Sequence, residues 1–201
     1  MRIFVAGASG LIGVRLVPLL VAAGHQVAAL TRSPEKSGLL TALGAQPVVG
    51  DVYDADALTA AVAGFAPDAV VDQLTDLPDT ASDLARFSDR NNRMRTEGTR
   101  NLVAAAVAAG ARRILAQSIS WEHRSGAGGA ATAAHERAVL HAGGVVIRYG
   151  QFWGPGTYYE AAPPDPPRIH VDEAARQTVP ALDAPPGLTV VIDDRATGMH
   201  R

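Results

Sequence analysis

Residues 1–13 read MRIFVAGASGLIG, and this stretch decides the fold of the chain. Residues 3–6 form a short apolar run typical of a β-strand, and glycines follow it at Gly7, Gly10 and Gly13. An apolar pattern with helical spacing begins directly afterwards. A strand, a glycine-rich turn and a helix in this order are typical of a unit that binds the pyrophosphate of a dinucleotide.

Each glycine has a separate role in such a unit. Gly7 permits the tight turn, Gly10 lets a pyrophosphate approach the backbone, and Gly13 lets the helix pack closely on the strand. The start of the helix adds free N–H donors and the positive end of the helix dipole. The alternative is a tight turn without a ligand. We predict that six residues of this turn contact a dinucleotide: Gly7, Ser9, Gly10, Leu11, Ile12 and Gly13.

The composition excludes several classes of protein. The chain has 201 residues, of which 47% are apolar, and this suits a single domain with a sizeable core. A net charge of −2 indicates neither a nucleic-acid partner nor an anionic membrane. Cysteine is absent, which excludes disulfides and thiolate metal sites, and the six histidines are too scattered to predict a metal site. We expect a cytoplasmic protein without a signal peptide or membrane span.

Apolar runs bounded by turn residues predict six further strands, and helical patterns separate them. The predicted strands cover residues 26–30, 46–49, 69–74, 112–117, 145–148 and 188–192. The predicted helices after the first cover residues 34–43, 54–63, 82–109 and 130–141. This alternation predicts an α/β fold, a Rossmann-type doubly wound parallel sheet of about seven strands in the order 3-2-1-4-5-6-7.

The end of the second predicted strand bears on the choice of dinucleotide. An acidic residue at this place usually binds the ribose hydroxyls of NAD, whereas an arginine accommodates the 2′-phosphate of NADP. Arg32 follows this strand, Lys36 stands close behind it, and no acidic residue takes the position. The sequence therefore favours NADP over NAD, unless Arg32 is only a solvated charge at the start of a loop.

The Gly-x-x-Gly-x-x-Gly spacing resembles that of the extended and atypical short-chain dehydrogenase/reductase (SDR) families, which include relatives of sugar-nucleotide epimerases and dehydratases. Three later segments carry the same resemblance: TEGTRNLVAAAVAA at 96–109, YGQFWGPGT at 149–157 and IHVDEAA at 169–175. Full-length relatives have a substrate-binding lobe between the last two segments, where this chain has only a short proline-rich stretch. The resemblance therefore implies a cofactor-binding domain at 1–150 and a reduced substrate segment at 151–201.

The resemblance also indicates where the adenine lies. In these families a Gly-Asp-apolar segment like residues 50–52 lies along the adenine, which places Asp51 and Val52 there. Asp51 would bond the adenine amino group or act only as a turn aspartate. Ligands of such sheets bind at the carboxyl ends of the strands. We therefore predict that three residues at the end of the fourth strand line the cofactor groove: Gln73, Leu74 and Thr75.

By the same resemblance, a serine after the fifth strand orients the hydroxyl or carbonyl group of a small-molecule substrate. Ser120 is the best match to this serine and Ser118 is the second. Tyrosine and histidine side chains are the candidates for proton transfer, since histidine titrates near neutral pH. We place His135 and Tyr149 in the catalytic set. The further candidates are His123, Tyr158, Tyr159 and His170.

The chain departs from the SDR pattern at one decisive place. SDR oxidoreductases use a Tyr-x-x-x-Lys pair, in which the lysine holds the ribose and the tyrosine exchanges a proton with the substrate oxygen. Counting back from Glu136 puts Thr132 at the lysine position and Gly128 at the tyrosine position. No lysine follows Lys36. An asparagine of the family pattern also has no clean match, because Arg95 stands at its place.

Three functions remain open. The first is an NADP-dependent oxidoreductase or epimerase/dehydratase-like enzyme with an atypical site, acting on a small carbonyl, hydroxyl or sugar-like substrate. The second is a non-catalytic NADP-binding sensor of the NmrA type, and the third is an SDR scaffold for non-redox cyclisation or isomerisation. We favour the first, because the family is mainly enzymatic and Ser120 and the YGQFWGPGT segment are retained. We also expect a homodimer, since a missing lobe would leave apolar surface to cover.

Overall fold

The structure is a computed structural model that describes residues 1–121 and 125–193. A seven-stranded parallel sheet forms its centre. The strands of the whole structure are β1 (Arg2–Ala6), β2 (Gln26–Thr31), β3 (Gln46–Val49), β4 (Ala69–Asp72), β5 (Arg113–Ile119), β6 (Val145–Tyr149), β7 (Gln151–Trp153), β8 (Arg168–His170) and β9 (Gly187–Val191). The sheet order is β3-β2-β1-β4-β5-β6-β9, which confirms the predicted topology. The short strands β7 and β8 form a separate parallel pair, which the sequence did not predict.

Seven α-helices connect and cover these strands. They are α1 (Gly13–Ala22), α2 (Ser37–Ala42), α3 (Ala55–Phe65), α4 (Leu84–Arg93), α5 (Thr99–Ala108), α6 (Gly126–His141) and α7 (Val171–Ala181). The helix predicted at 82–109 is present as a continuous helical run over α4 and α5, and the sequence did not predict the π-helical turn at Met94–Gly98 that joins them. Such turns widen a helix by one residue and shift the register of the side chains on either side.

The core consists of two apolar layers, one on each face of the sheet. Neighbouring side chains of a strand point to opposite faces, so Val5 of β1 packs towards α1 and α7, and Phe4 packs towards α3 and α5. Because both faces are covered, the central strands are apolar on both sides. This explains why continuous apolar runs predicted the strands well.

Strand β4 ends at Asp72, two residues earlier than predicted. The carboxylate of Asp72 accepts a hydrogen bond from the backbone N–H of Leu74 at 2.9 Å. An aspartate that bonds the backbone two residues ahead makes a local turn in place of a strand ladder. The N–H of Gln73 still donates to the carbonyl of Ala6 in β1 at 2.9 Å, and the chain turns away from the sheet at Leu74.

The residues after 150 return to the same sheet. Strand β9 pairs with β6 in parallel, and α7 packs against α1. None of the helices in the described part of the chain is both long and apolar enough to cross a membrane.

Candidate functional site

The glycine turn between β1 and α1 has the geometry of an anion-binding cradle. Gly7 has a φ of +78°, and a Cβ atom there would lie 2.5 Å from the carbonyl oxygen of Gln73. A Cβ atom at Gly13 would collide with the backbone of Gly7 and Ala8. These two glycines are therefore needed for the turn itself. Gly10 is exposed, and a Cβ atom there would meet only the oxygen of Gly7 at 3.3 Å, so space remains above it.

The start of α1 offers hydrogen-bond donors to this cradle. No side chain caps α1, and its first turn holds no acidic residue. Among the described residues, no backbone acceptor is recorded for the N–H groups of Leu11 and Ile12. Free donors at the positive end of a helix dipole suit a phosphate group. The turn thus fits the pyrophosphate of a dinucleotide, as the sequence predicted.

The end of β2 carries a charge cluster that the sequence revealed only in part. The hydroxyl of Ser9 lies 3.1 Å from that of Thr31, which joins the turn to this strand. Exposed Arg32 follows, and its Nη2 lies 3.7 Å from Oδ1 of Asp76. Asp76 also accepts bonds of 3.1 and 2.9 Å from Arg90. The carboxylate of Asp76 therefore sits between two guanidinium groups.

The predicted adenine segment is held in place by local hydrogen bonds. Oδ1 of Asp51 accepts a bond from the N–H of Tyr53 at 2.9 Å, which makes Asp51 a turn aspartate. Val52 is buried, and its carbonyl accepts a bond of 3.0 Å from Asn101. The guanidinium of Arg93 lies 4.0 Å from the centre of the Tyr53 ring. Contact of Asp51 and Val52 with adenine stays a prediction.

Gln73, Leu74 and Thr75 lie at the carboxyl edge of the sheet, and a chain of hydrogen bonds orients the amide of Gln73. The hydroxyl of Thr178 donates to the carbonyl of Ala174 at 2.7 Å, so the hydroxyl of Tyr149 donates to Thr178 at 2.5 Å. The oxygen of Tyr149 is then free to accept the bond of 3.5 Å from Nε2 of Gln73. This order leaves Oε1 of Gln73 buried, with no partner among the described residues.

The side chain of Tyr149 is too deeply buried to exchange a proton with a substrate in the groove. Its side chain is 1% exposed. Burial raises its pKa to about 12, against the opposing effect of its bonds with Thr178 and Gln73. The predicted role of Tyr149 in proton transfer is not favoured by this geometry, and its hydroxyl supports Gln73.

The two candidate serines differ in what their hydroxyls contact. Ser118 donates to Oε1 of Glu136 at 2.6 Å, and Glu136 is paired through two bonds of 2.8 and 2.5 Å with Arg148. Although burial opposes it, bonds from Arg148 and Ser118 hold the pKa of Glu136 below its usual value. The hydroxyl oxygen of Ser120 is buried and has no partner among the described residues. Of the two serines, Ser120 is therefore the one whose hydroxyl is unpaired among the described residues.

His135 is part of a buried network and does not open onto the groove. It is 5% exposed, its Nδ1 lies 2.7 Å from the hydroxyl of Thr99, and its Nε2 lies 2.7 Å from the carbonyl oxygen of Gln117. Thr99 in turn contacts the carboxylate of Asp72 at 3.4 Å. Both ring nitrogens are thus engaged inside the protein, which does not favour His135 as a catalytic base.

Asp72 makes the stability of the fold depend on pH. Burial raises its pKa, and the nearby charge of His135 opposes this. A carboxyl whose pKa is raised by folding stabilises the native state fully below its unfolded pKa of about 3.9 and progressively less as pH rises through the folded pKa. We expect Asp72→Asn to reduce this loss of stability with rising pH. The measurement is the free energy of urea unfolding across pH 4 to 8. Exposed Asp79→Asn is the control, and an unchanged pH slope in Asp72→Asn would contradict the prediction.

Helix α6 holds the positions at which the SDR resemblance places the missing tyrosine and lysine. The hydroxyl of Thr132 donates to the carbonyl of Gly128 at 2.9 Å and accepts a bond of 2.8 Å from Nη1 of Arg95. Sequence reasoning noted Arg95 only as a mismatch to the family asparagine. Its reach across to α6 depends on the π-helical turn, which has no clear signal in the sequence.

The segment YGQFWGPGT lies beside the glycine turn. Arg15 of α1 donates to the carbonyls of Leu11 and Pro155 at 2.8 and 2.6 Å. It also forms an ion pair of 2.8 Å with Asp172 at the start of α7. This arginine therefore joins the turn, the β7 segment and α7, and nothing in its local sequence indicates that role.

The remaining proton-transfer candidates have structural contacts. Tyr158 donates to the carbonyl of Pro78 at 2.5 Å, and Tyr159 donates to Gln151 at 3.2 Å. His170 caps α7. His123 lies outside the described residues. Within the described ranges, no group of three or more histidine or acidic residues could hold a metal ion.

Comparisons with known proteins show the family to which the chain belongs. A family model described as NAD(P)H-binding matches residues 7–140. The chain is 40% identical over 182 residues to a 3-diazoavenalumate denitrifying reductase of Streptomyces, with 79% of this chain and 59% of that protein covered. It is 33% identical over 118 residues to a 3-beta-hydroxysteroid dehydrogenase of Mycolicibacterium neoaurum, with 57% of this chain and 31% of that protein covered. The chain thus spans well under two thirds of these relatives.

Solved structures of epimerases share the fold. The UDP-glucose 4-epimerase of Thermotoga maritima has a TM-score of 0.78 at 16% identity, with 96% of this chain and 77% of that chain covered. The UDP-glucose 4-epimerase of Thermus thermophilus, solved with NAD, has a TM-score of 0.78 at 19% identity, with 96% and 78% covered. The chain belongs to the NAD(P)H-binding family, and it shares its fold with epimerases, in line with the resemblance to the extended SDR families.

Proposed function

We propose that this chain is an NADP-dependent reductase of the atypical SDR type, acting on a small electrophilic substrate at the carboxyl edge of β4, β5 and β6. The observation that carries the proposal is the hydroxyl of Ser120, which is buried, without a described partner, and placed at the end of β5. Buried polar groups are almost always hydrogen-bonded, so an unpaired one marks a place for a ligand. A relative at 40% identity named as a reductase supports the same reading.

The residues present fit a dinucleotide, and each would contribute in a distinct way. The turn at Gly7–Gly13 would hold the pyrophosphate through backbone N–H groups, and Arg32 would face the ribose phosphate. A reduced nicotinamide supplies a hydride to an electrophilic carbon when it is bound. Ser120 would donate a hydrogen bond to the substrate and orient it, which is a role that needs no change in its protonation. The segment after residue 150 would border the substrate.

Cofactor binding tests the proposal directly. Trp153 lies in β7, and Pro155 two residues later accepts a bond from Arg15 of α1, so titration with NADPH and with NADH is expected to quench the tryptophan fluorescence, with tighter binding of NADPH. Absence of binding by both cofactors would refute the reductase and the sensor alike. A panel of ketones, nucleotide sugars and diazo carboxylates then tests turnover by loss of NADPH absorbance. Binding without any turnover would favour the sensor.

Arg32 is expected to determine the preference for NADP. A hydrogen bond between a charged guanidinium and a phosphate contributes about 1.5–3 kcal/mol, so Arg32→Gln is expected to weaken NADPH binding about tenfold to a hundredfold and to leave NADH unchanged. Asp76→Asn removes the carboxylate that competes for Arg32 and is expected to tighten NADPH binding. Arg100→Gln, which removes an exposed arginine from α5, is the matched control. If Arg32→Gln weakens the binding of NADPH and NADH equally, Arg32 does not bind the 2′-phosphate.

A further inference from the structure

Arg95 lies level with the carboxyl edge of the sheet. One turn before it, the side chain of Asn91 accepts a bond of 3.1 Å from the N–H of Asp76. One turn after it, Thr99 contacts Asp72 at the end of β4. Arg95 is therefore level with the segment between these two aspartates, where β4 ends and the cofactor groove is expected.

The side chain of Arg95 extends from this position towards the first half of α6. The chain leaves β5 at the carboxyl edge and enters α6, so the first turns of α6 lie at that edge. Glu136 of α6 accepts a hydrogen bond from Ser118 of β5. Thr132 lies one helical turn closer to the carboxyl edge than Glu136, and Ser120 lies two residues closer to that edge than Ser118. The bond of 2.8 Å from Arg95 to Thr132 therefore places a guanidinium at about the height of Ser120.

Among the described residues, no carboxylate forms an ion pair with Arg95. The side chain of Arg95 is half-buried. The charge of Glu136 acts on Arg95 from a longer distance, but Glu136 is already paired with Arg148. Burial lowers the pKa of Arg95, and only the charge of Glu136 opposes this. A guanidinium has five N–H donors, and among the described residues Arg95 makes one side-chain hydrogen bond, to Thr132, so that most of its donors remain unused there.

We propose that Arg95 binds a carboxylate of the substrate, and that the reductase site is therefore built for a carboxylic acid. The planar guanidinium matches a carboxylate through two parallel hydrogen bonds. The phosphates of a dinucleotide do not compete for this place, because their cradle lies at β1 and β2, on the other side of β4. Arg95 would hold one end of the substrate while Ser120 contacts the reacting end. The assignment of this ligand to the substrate rests on the proposed function.

Benzoate and benzamide test the proposal, because they have nearly the same shape and differ in charge. Binding of each is measured by ligand-observed NMR, with and without saturating NADP⁺. We expect the wild-type protein to bind benzoate about tenfold or more tightly than benzamide. Arg95→Gln is expected to abolish this preference, and Arg95→Lys is expected to keep part of it through its charge. Arg100→Gln, which removes an exposed arginine from α5, is the matched control and should behave as the wild type.

Thermal unfolding separates binding from a structural role. Because Arg95 is desolvated without a carboxylate partner, Arg95→Gln is expected to keep or raise the unfolding temperature, whereas loss of a structural ion pair would lower it. If Arg95→Gln does not fold, Thr132→Val carries the test, since it frees the guanidinium from its anchor. We then expect weaker benzoate binding with benzamide unchanged, and no change would overturn the proposal.

Three results would overturn the assignment of Arg95. The first is equal binding of benzoate and benzamide by the wild-type protein, and the second is an unchanged preference in a folded Arg95→Gln variant. The third is a loss of NADP⁺ binding in Arg95→Gln with benzoate unaffected, which would make Arg95 a cofactor residue. Failure of the proposed function looks different: the wild type would bind neither cofactor, while the cofactor-free titrations would still report on Arg95.

Discussion

Ser120→Ala is expected to lower kcat about a hundredfold or more without loss of stability. Groups that orient or polarise the reacting atom typically contribute at least this factor. The hydroxyl of Ser120 makes no hydrogen bond with the described residues, so its removal breaks none. Removing a buried unpaired polar atom leaves the free energy of unfolding equal or higher. The measurements are NADPH consumption with a substrate found in the panel, and urea unfolding of the same samples.

Ser118→Ala is the matched control, because Ser118 lies in β5 two residues before Ser120 and its hydroxyl is paired. Loss of the Ser118 hydroxyl takes a donor from the partly buried carboxylate of Glu136, which is expected to cost about 1–3 kcal/mol of stability. Turnover is expected to stay within a few fold of the wild type. The reverse pattern, with Ser118→Ala inactive and Ser120→Ala active, would transfer the substrate contact to Ser118 and contradict the proposed site.

Gly7→Ala is expected to destabilise the protein by more than about 4 kcal/mol and to abolish cofactor binding. Two physical effects combine at this position. The left-handed φ of +78° opposes any side chain, and the new Cβ atom would lie 2.5 Å from a backbone oxygen that cannot move without displacing the end of β4. Since the same movement distorts the cradle, NADPH binding and stability should be lost together. Urea unfolding and the fluorescence titration measure the two effects.

Gly24→Ala separates these two effects. Gly24 has a φ of +82°, close to that of Gly7, but a Cβ atom there would meet nothing within 4 Å. We expect Gly24→Ala to cost only the backbone strain, about 1–2 kcal/mol, and to leave the affinity for NADPH unchanged. If the two variants lose equal stability, the contact between Gly7 and Gln73 contributes little, and the cradle is more tolerant than its geometry indicates.

Local patterns predicted most of the fold, because the signals that specify it act over short distances. The apolar strands are buried on both faces, so each appears in the sequence as a continuous run. The glycine turn needs particular residues at particular steps, and Gly7 and Gly13 occupy places that a Cβ atom would fill. The π-helical turn between α4 and α5 escaped prediction, because the helical pattern runs through both halves and the turn leaves the helix continuous.

The sequence by itself therefore determined the sheet, the glycine turn and the loss of the Tyr-x-x-x-Lys pair, since each depends on residue types at short spacing. Only the tertiary structure decided which polar groups are available. Ser118 donates its hydrogen bond to Glu136, whereas Ser120 has no partner among the described residues. Asp76, from a loop distant in sequence, is an ion-pair partner of Arg32. The physical reason is that a side chain acts on a ligand only with the hydrogen bonds and charge that its neighbours leave unused, and those neighbours are far away in sequence.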